Sequence, residues 1–451
     1  MSKQTEPRGM PAQTRKKPAL LHFLEGYTRD QKLFIWESML INSANVITGG
    51  VFLTGLLLLM GATDFMVGMI SSSASWALML SLASSVVVES VRRKKALLTG
   101  VLLAFRLLTT LPVFLPALVG MGMPTAKVAF VMMIAGNLIF SIFNTGFYIF
   151  FMDSLPKAGR VNYIYTRMFF LRIAYTVVAL AMGFLLDFMG KSYAGFIVVF
   201  CTGLAIGLAD VFVLTRIKGG GDANLQGNGE IPPMRLRGLA RRLLEPLADK
   251  RYLRYLAFTF ALFFFTTMST AYTSLYQYKY LHLSVAFISI YTTCTYIIMI
   301  AVTRRWAALE QRLGKLKVLV ISSVLMSLDM LVYGFLTTKS LWLIVLSPLF
   351  AGLGGSGFWA CALPYRYDLM PREGKTVYEG WNGFFFGAAG LLGALTGGML
   401  QGLLPEVSTP FMTFSVFQLI YLCSCTLAIL SAVVFWLRAR KDEPTETEPE
   451  R

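Results

Sequence analysis

Twelve stretches of this chain are apolar over membrane-crossing lengths, and nothing else in it narrows the fold so far. They lie at about 34–60, 65–90, 96–118, 128–152, 163–187, 193–215, 254–280, 283–303, 316–337, 341–367, 376–403 and 410–437. About 20 helical residues, rising about 1.5 Å each, cross roughly 30 Å of hydrocarbon. In lipid each peptide group must bond within the chain, so runs of this length become helices. They are continuous, not ten-residue and alternating, which excludes a transmembrane barrel. With 56% apolar residues and 14% charged ones, the chain also falls outside the range of soluble domains. The expected fold class is all-α integral membrane, with twelve transmembrane helices.

A repeat crosses the midpoint. Asp153-x-x-Pro156-x-x-Gly159-Arg160-x-x-Tyr163 recurs as Asp368-x-x-Pro371-x-x-Gly374-Lys375-x-x-Tyr378, each position displaced by 215 residues. Phe169-Phe170 and Phe384-Phe385 follow at the same displacement. Two related halves of membrane-length segments point to a duplicated transporter rather than a receptor or a membrane enzyme.

The net charge of +17 raises the question of nucleic acid, and its distribution answers it. Lys127, Lys191, Lys279 and Lys339 fall on one side of the expected spans, and Arg106, Arg167 and Arg172 fall within or just inside them. The remaining basic residues, such as Arg92-Arg93-Lys94-Lys95 and Arg304-Arg305, occupy the termini, a central linker and the alternate loops. That asymmetry places both termini in the cytoplasm and makes the partner a lipid bilayer, not nucleic acid. The five cysteines all lie in spans, as small packing residues. No metal cluster, nucleotide fingerprint or Ser/His/Asp set is visible, so neither a cofactor nor an enzymatic activity is expected. The first 32 residues are polar and basic, without the apolar core of a signal peptide.

Residues 216–253 divide the chain. Gly219-Gly220-Gly221, Gly227-Asn228-Gly229 and Pro232-Pro233 break any helix, and Arg235 to Leu247 is basic and amphipathic. The expected organisation is a cytoplasmic tail (1–32), a six-helix bundle (33–215), a cytoplasmic linker with an amphipathic helix (216–253), a second bundle (254–437) and an acidic tail (438–451).

Six spans plus six, a long cytoplasmic linker and a half-to-half repeat resemble the major facilitator superfamily over about 34–437. That family carries an acidic residue, a Gly and a basic cluster between its second and third spans. Here Glu89-Ser90-Val91-Arg92-Arg93-Lys94 is a degraded form, with Arg92 at the glycine place. Gln311-Arg312-Leu313-Gly314-Lys315 keeps the glycine and loses the acid, with Glu310 adjacent. The resemblance implies two bundles rocking about a site near the midplane, with spans one, four, seven and ten lining a cavity.

The residues supply their own test of that implication, since positions i, i+4, i+7 and i+11 share a helix face. Span one carries Ser38, Asn42, Asn45 and Gly49; span four, Asn137, Ser141, Asn144 and Tyr148; span seven, Thr266, Thr270, Thr273 and Gln277. In span ten only Gly352, Ser356 and Trp359 align. Unpaired amides in hydrocarbon are costly, so these faces turn to water or to protein. Either a hydrated cavity or interhelical hydrogen bonding accounts for them, the first preferred for the Asn-rich stripes and the second for the threonines of span seven. Arg172, two turns into span five, is a further cavity candidate. Glu37 and Glu89 are coupling candidates. Asp153, Arg160, Asp368 and Lys375 are gating candidates through their symmetric loops. Gly387, Gly390, Gly393, Gly397 and Gly398 read as a packing seam in span eleven.

The function expected is secondary active transport of a small solute by alternating access, with protons as the default coupling ion. The multi-pass protein would sit in the cell membrane, the inner membrane of a bacterium, as a monomer. A uniporter or an exporter of amphiphilic compounds is the rival within transport. A non-transporting sensor or lipid-handling protein on the same fold is the rival from another class.

Overall fold

The computed structural model describes residues 26–81, 83–84, 91, 94–155, 160–218, 245–371, 375–408 and 413–440. Among these, eleven helices are long and apolar enough to cross a membrane. A shorter apolar helix stands where the second span is expected. In chain order the twelve are α1 (Arg29–Leu59), α2 (Asp64–Leu80), α3 (Lys95–Val119), α4 (Met123–Asp153), α5 (Arg160–Phe188), α6 (Tyr193–Arg216), α7 (Lys250–Tyr280), α8 (Val285–Leu313), α9 (Lys315–Gly334), α10 (Leu341–Leu369), α11 (Lys375–Leu403) and α12 (Val416–Ala439). Most of the linker and the acidic tail lie outside the described residues, as do Glu89 and its basic neighbours Arg92 and Arg93.

Side-chain oxygens start many of these helices by accepting from the free N–H groups of the first turn. Thr28 and Ser415 form reciprocal capping boxes with Gln31 and Gln418. Thr63, Ser192, Asp249 and Ser284 cap α2, α6, α7 and α8. A two-residue strand pair, Val407–Ser408 with Thr413–Phe414, closes the α11–α12 turn.

Within the first half α1 packs on α5 and α6, and α3 on α4 and α6; within the second α7 packs on α11 and α12, and α9 on α10 and α12. The most extensive contacts between the halves are α2 with α11 and α5 with α8; α1 also touches α7 and α8, and α2 touches α7. A ladder of aromatic rings on α4, Phe140, Phe143, Phe147 and Phe151, stacks at 5.2–6.2 Å and anchors the core of the first half. One face of the molecule gathers the start of α1, the ends of α6 and α12, and the start of α7. There Lys95 donates to the Thr215 carbonyl at 2.8 Å, and Arg254 to the Arg438 carbonyl at 3.2 Å. This tail-side face lies opposite the far face, where α1 turns into α2 and α7 into α8.

The first helix of each half is interrupted. In α1 the helix stops at Thr48, whose hydroxyl bonds back to the Ala44 carbonyl, and restarts at Gly50 with φ +50°. Only glycine adopts that φ without strain. In α7 the helix stops at Thr270, resumes for Thr273–Leu275 and ends in a π turn over Tyr276–Tyr280. Broken helices free backbone groups and redirect side chains beside ligand sites.

Candidate functional site

A cavity of about 350 Å³ lies between the halves, against both breaks. Its walls are Asn42, Asn45 and Gly50–Phe52 of α1, Tyr175 and Ala179 of α5, Thr273, Ser274 and Gln277 of α7, and residues between Ile288 and Thr292 of α8. A second cavity, about 200 Å³, sits inside the first half and shares Asn45 and Gly50 with the first. Asn137 of α4 lines only the second.

Fixed partners set what each amide offers. Asn42 donates its Nδ2 to the Ser38 carbonyl at 2.8 Å, leaving its oxygen for the cavity. Asn45 accepts from Arg106 Nη1 at 2.6 Å, leaving its NH₂. Gln277 donates to the Tyr333 hydroxyl at 2.5 Å, leaving its carbonyl oxygen. Ser289 and Thr292 spend their hydroxyl protons on the Val285 and Ile288 carbonyls. The wall therefore offers both acceptors and donors, and no lining residue is an acid or a basic side chain.

Behind the wall of the first half lies a buried charge network. Arg106, fully buried at mid-span in α3, touches Asn45, the Ile41 carbonyl and Asp210, the last at 3.1 Å. Glu37, also fully buried, pairs with Arg167 at 3.0 Å. The guanidinium of Arg167 stacks on Phe151 at 4.5 Å. Arg106 thus finds its partners within its own half, and Asp210 of α6 is a buried partner that the polar stripes did not indicate.

Behind the wall of the second half, Tyr291 hydrogen-bonds Ser347 at 2.5 Å, and Ser347 donates to Asp329 toward the end of α9. Thr273 meets the Tyr421 hydroxyl at 2.7 Å, and Tyr421 stacks on Tyr333 at 5.0 Å.

The remaining candidates divide. The Arg172 guanidinium lies 3.8 Å from the Tyr296 ring centre, with Tyr175 edge-on to the same ring, so it bridges α5 to α8 beside the cavity. Asn144 is exposed, and Ser141 reaches Ser84, beyond the end of α2, at 3.3 Å. Trp359 is 55% exposed and packs on Phe263, Phe358 and Phe386 rather than lining the cavity. Asp368 pairs with Lys315 at 2.5 Å, inside its own half, beside an Arg366–Glu379 pair at 2.8 Å. The side chains of Tyr148, Asp153, Arg160 and Lys375 lie outside the described residues.

At the far face the halves are tied together. Asp64 of α2 takes Lys279 at 2.6 Å and the Tyr280 hydroxyl at 2.7 Å. Asp187 of α5 caps α8, accepting from the Val285 and Ala286 N–H groups at 3.1 and 2.8 Å. Lys191 donates to the Leu283 carbonyl at 3.3 Å. The glycines of α11 have two partners. A Cβ on Gly387 would lie 2.2 Å from the Met79 nitrogen of α2, and one on Gly397 would lie 2.0 Å from the Met268 carbonyl of α7.

Known proteins agree with this architecture. A family model described as Major Facilitator Superfamily matches residues 255–451. The tetracycline resistance protein, class H, of Pasteurella multocida is 28% identical over 137 residues, which span 30% of this chain and 31% of that protein. Among solved structures, the nucleoside transporter NupG shares 15% identity with a TM-score of 0.63, covering 92% of this chain and 98% of its own. A D-xylose-proton symporter gives 14% and 0.64, covering 90% and 96%. The POT family transporter PepTSo gives 13% and 0.69, covering 92% and 98%. The two bundles and these likenesses give the chain the fold of these membrane transporters, and its second half matches the Major Facilitator Superfamily model.

Proposed function

We propose that this transporter moves a small, uncharged, polar solute across the cell membrane by alternating access. The observation that carries this reading is the cavity between the halves: walled by pinned amides and hydroxyls, free of charged side chains, and large enough for a small molecule. The solute would hydrogen-bond Asn42, Asn45 and Gln277. Arg172 would hold α5 to α8 beside it.

The far-face contacts of Asp64, Asp187 and Lys191 support a state closed on that side. The repeated loops at 153–163 and 368–378 would close the tail-side, cytoplasmic face in the opposite state. Rocking of one bundle on the other would exchange the two, with α2–α11 and α5–α8 as the sliding contacts. Proton coupling and a monomeric assembly complete the proposal. The tetracycline-resistance relative favours a second reading, export of an amphiphilic compound through the same cavity.

A thermal-shift screen of the purified protein against pentoses, hexoses, nucleosides, amino acids, organic anions and tetracycline tests both readings. A neutral polar hit should lose its shift in Asn45→Ala and Gln277→Ala, and should show counterflow in proteoliposomes of the wild type. A screen answered only by tetracycline supports the second reading. One answered only by organic anions sinks both.

A further inference from the structure

The carboxylates of the spans are satisfied in different ways. Glu37, Asp210 and Glu379 each face an arginine. Asp329 has no cationic partner among the described residues; its hydrogen bond comes from Ser347 of α10. The ionisable groups nearest to it from the packed elements are Tyr291 of α8, Tyr333 of α9, and Tyr421 and Cys425 of α12. None of them supplies positive charge. A lone carboxylate charge in a low-dielectric bundle is costly, and binding a proton removes it.

A route leads there from the cavity. Tyr291 lines the wall, its hydroxyl meets Ser347 at 2.5 Å, and Ser347 donates to Asp329 Oδ1. These are two hydroxyls in series between water-accessible space and a carboxylate. A proton delivered to the Tyr291 oxygen by a cavity water displaces the tyrosine proton to Ser347, and the serine proton to Oδ1. One O–H bond forms and one breaks at each hydroxyl, so the chain ends reoriented with the carboxyl neutral. Gln277 lies beside this line, because its amide donates to Tyr333.

We propose that Asp329 is a proton-binding site of this transporter, loaded from the solute cavity along Tyr291 and Ser347. Calling that proton the coupling ion rests on the transport reading; the site itself requires no flux.

The test uses the full chain in lipid vesicles without solute, with the proton as ligand. Infrared difference spectra across a pH step should show a carboxylic-acid carbonyl band that is lost in Asp329→Asn. Ser347→Ala, which keeps the carboxyl and removes its donor, should move the band to higher frequency. Tyr291→Phe should keep the band and slow its shift on transfer from H₂O to D₂O, which a purely structural tyrosine would not do. An unchanged band in folded Asp329→Asn overturns the proposal, as does deuterium exchange in Tyr291→Phe as fast as in the wild type. If Asp329→Asn does not fold, an unmoved band in Ser347→Ala overturns it equally. Loss of the band in a protein that shows no counterflow with any screened solute would sink the transport reading and leave the proton site standing.

Discussion

In the first half, Arg106 is locked to Asp210, Asn45 and the Ile41 carbonyl, and Glu37 to Arg167. At a similar depth of the second half stand Tyr291, Tyr333, Tyr421, Ser347 and Gln277 around the single carboxylate of Asp329. Arg106 and Asp329 stand in the corresponding helices of the two halves, α3 and α9. The first bundle compensates Glu37 and Asp210 with fixed ion pairs, while the second meets Asp329 with a hydroxyl proton, which can move. Asn45 and Gln277 carry that difference to opposite walls of the cavity, the first presenting NH₂ and the second an oxygen.

The largest expected effect comes from breaking the fixed side. Arg106→Met leaves Asp210 buried without its cation and frees Asn45, and should destabilise the protein by about 3–5 kcal/mol. Thermal unfolding in detergent measures it, and Asp210→Leu added to Arg106→Met should recover part of the loss. A full recovery of stability together with solute binding would show that the network serves packing alone.

Next is the seam between the halves. Gly387→Leu drives a side chain into the Met79 backbone of α2, and should cost roughly 1–3 kcal/mol by overpacking. Counterflow should fall further than stability does, because α2–α11 is the most extensive contact joining the bundles. On the hydroxyl side, Tyr333→Phe strands the Gln277 amide and should cost about 1–3 kcal/mol. Rotation of the freed amide would reverse the polarity of that wall, so binding of a neutral solute should weaken in calorimetry. The smallest effect on stability is at the far face. The Asp64–Lys279 pair is 22% and 44% exposed, and Asp64→Asn should change stability by less than about 1 kcal/mol. The same substitution should raise the reactivity of a cysteine placed at Ser274 toward a reagent added from the far side. Unchanged labelling would remove the far-face tie from the list of gates.

Much of this was legible in the sequence. Run length gave the helices, because hydrocarbon thickness acts on each span by itself. Asn42 and Asn45 of the span-one stripe line a cavity, and a periodic polar face on one helix needs no knowledge of its neighbours to be seen. The glycine run of α11 read as a seam, although not that it faces two partners. What escaped is the pairing of groups far apart in the chain. Arg106 and Asp210 are 104 residues apart, and Tyr291 and Ser347 are 56 apart. No local period links such residues, and α6 and α8 carry no stripe to mark them. Trp359 misled for the converse reason: alignment with Gly352 and Ser356 fixes a face of α10 without saying what that face meets.

The glycines of α11 constrain how the molecule can work. Gly387 brings the α11 backbone against Met79 of α2 in the other bundle, and Gly393 and Gly397 bring it equally close to Phe264 and Met268 of α7. One helix is thus clamped to both bundles by its bare backbone. If the bundles rock as proposed, a displacement of α2 would be passed through α11 to α7, and through its interrupted end to Gln277. The contents of the cavity would then feel the travel of a helix that does not line it.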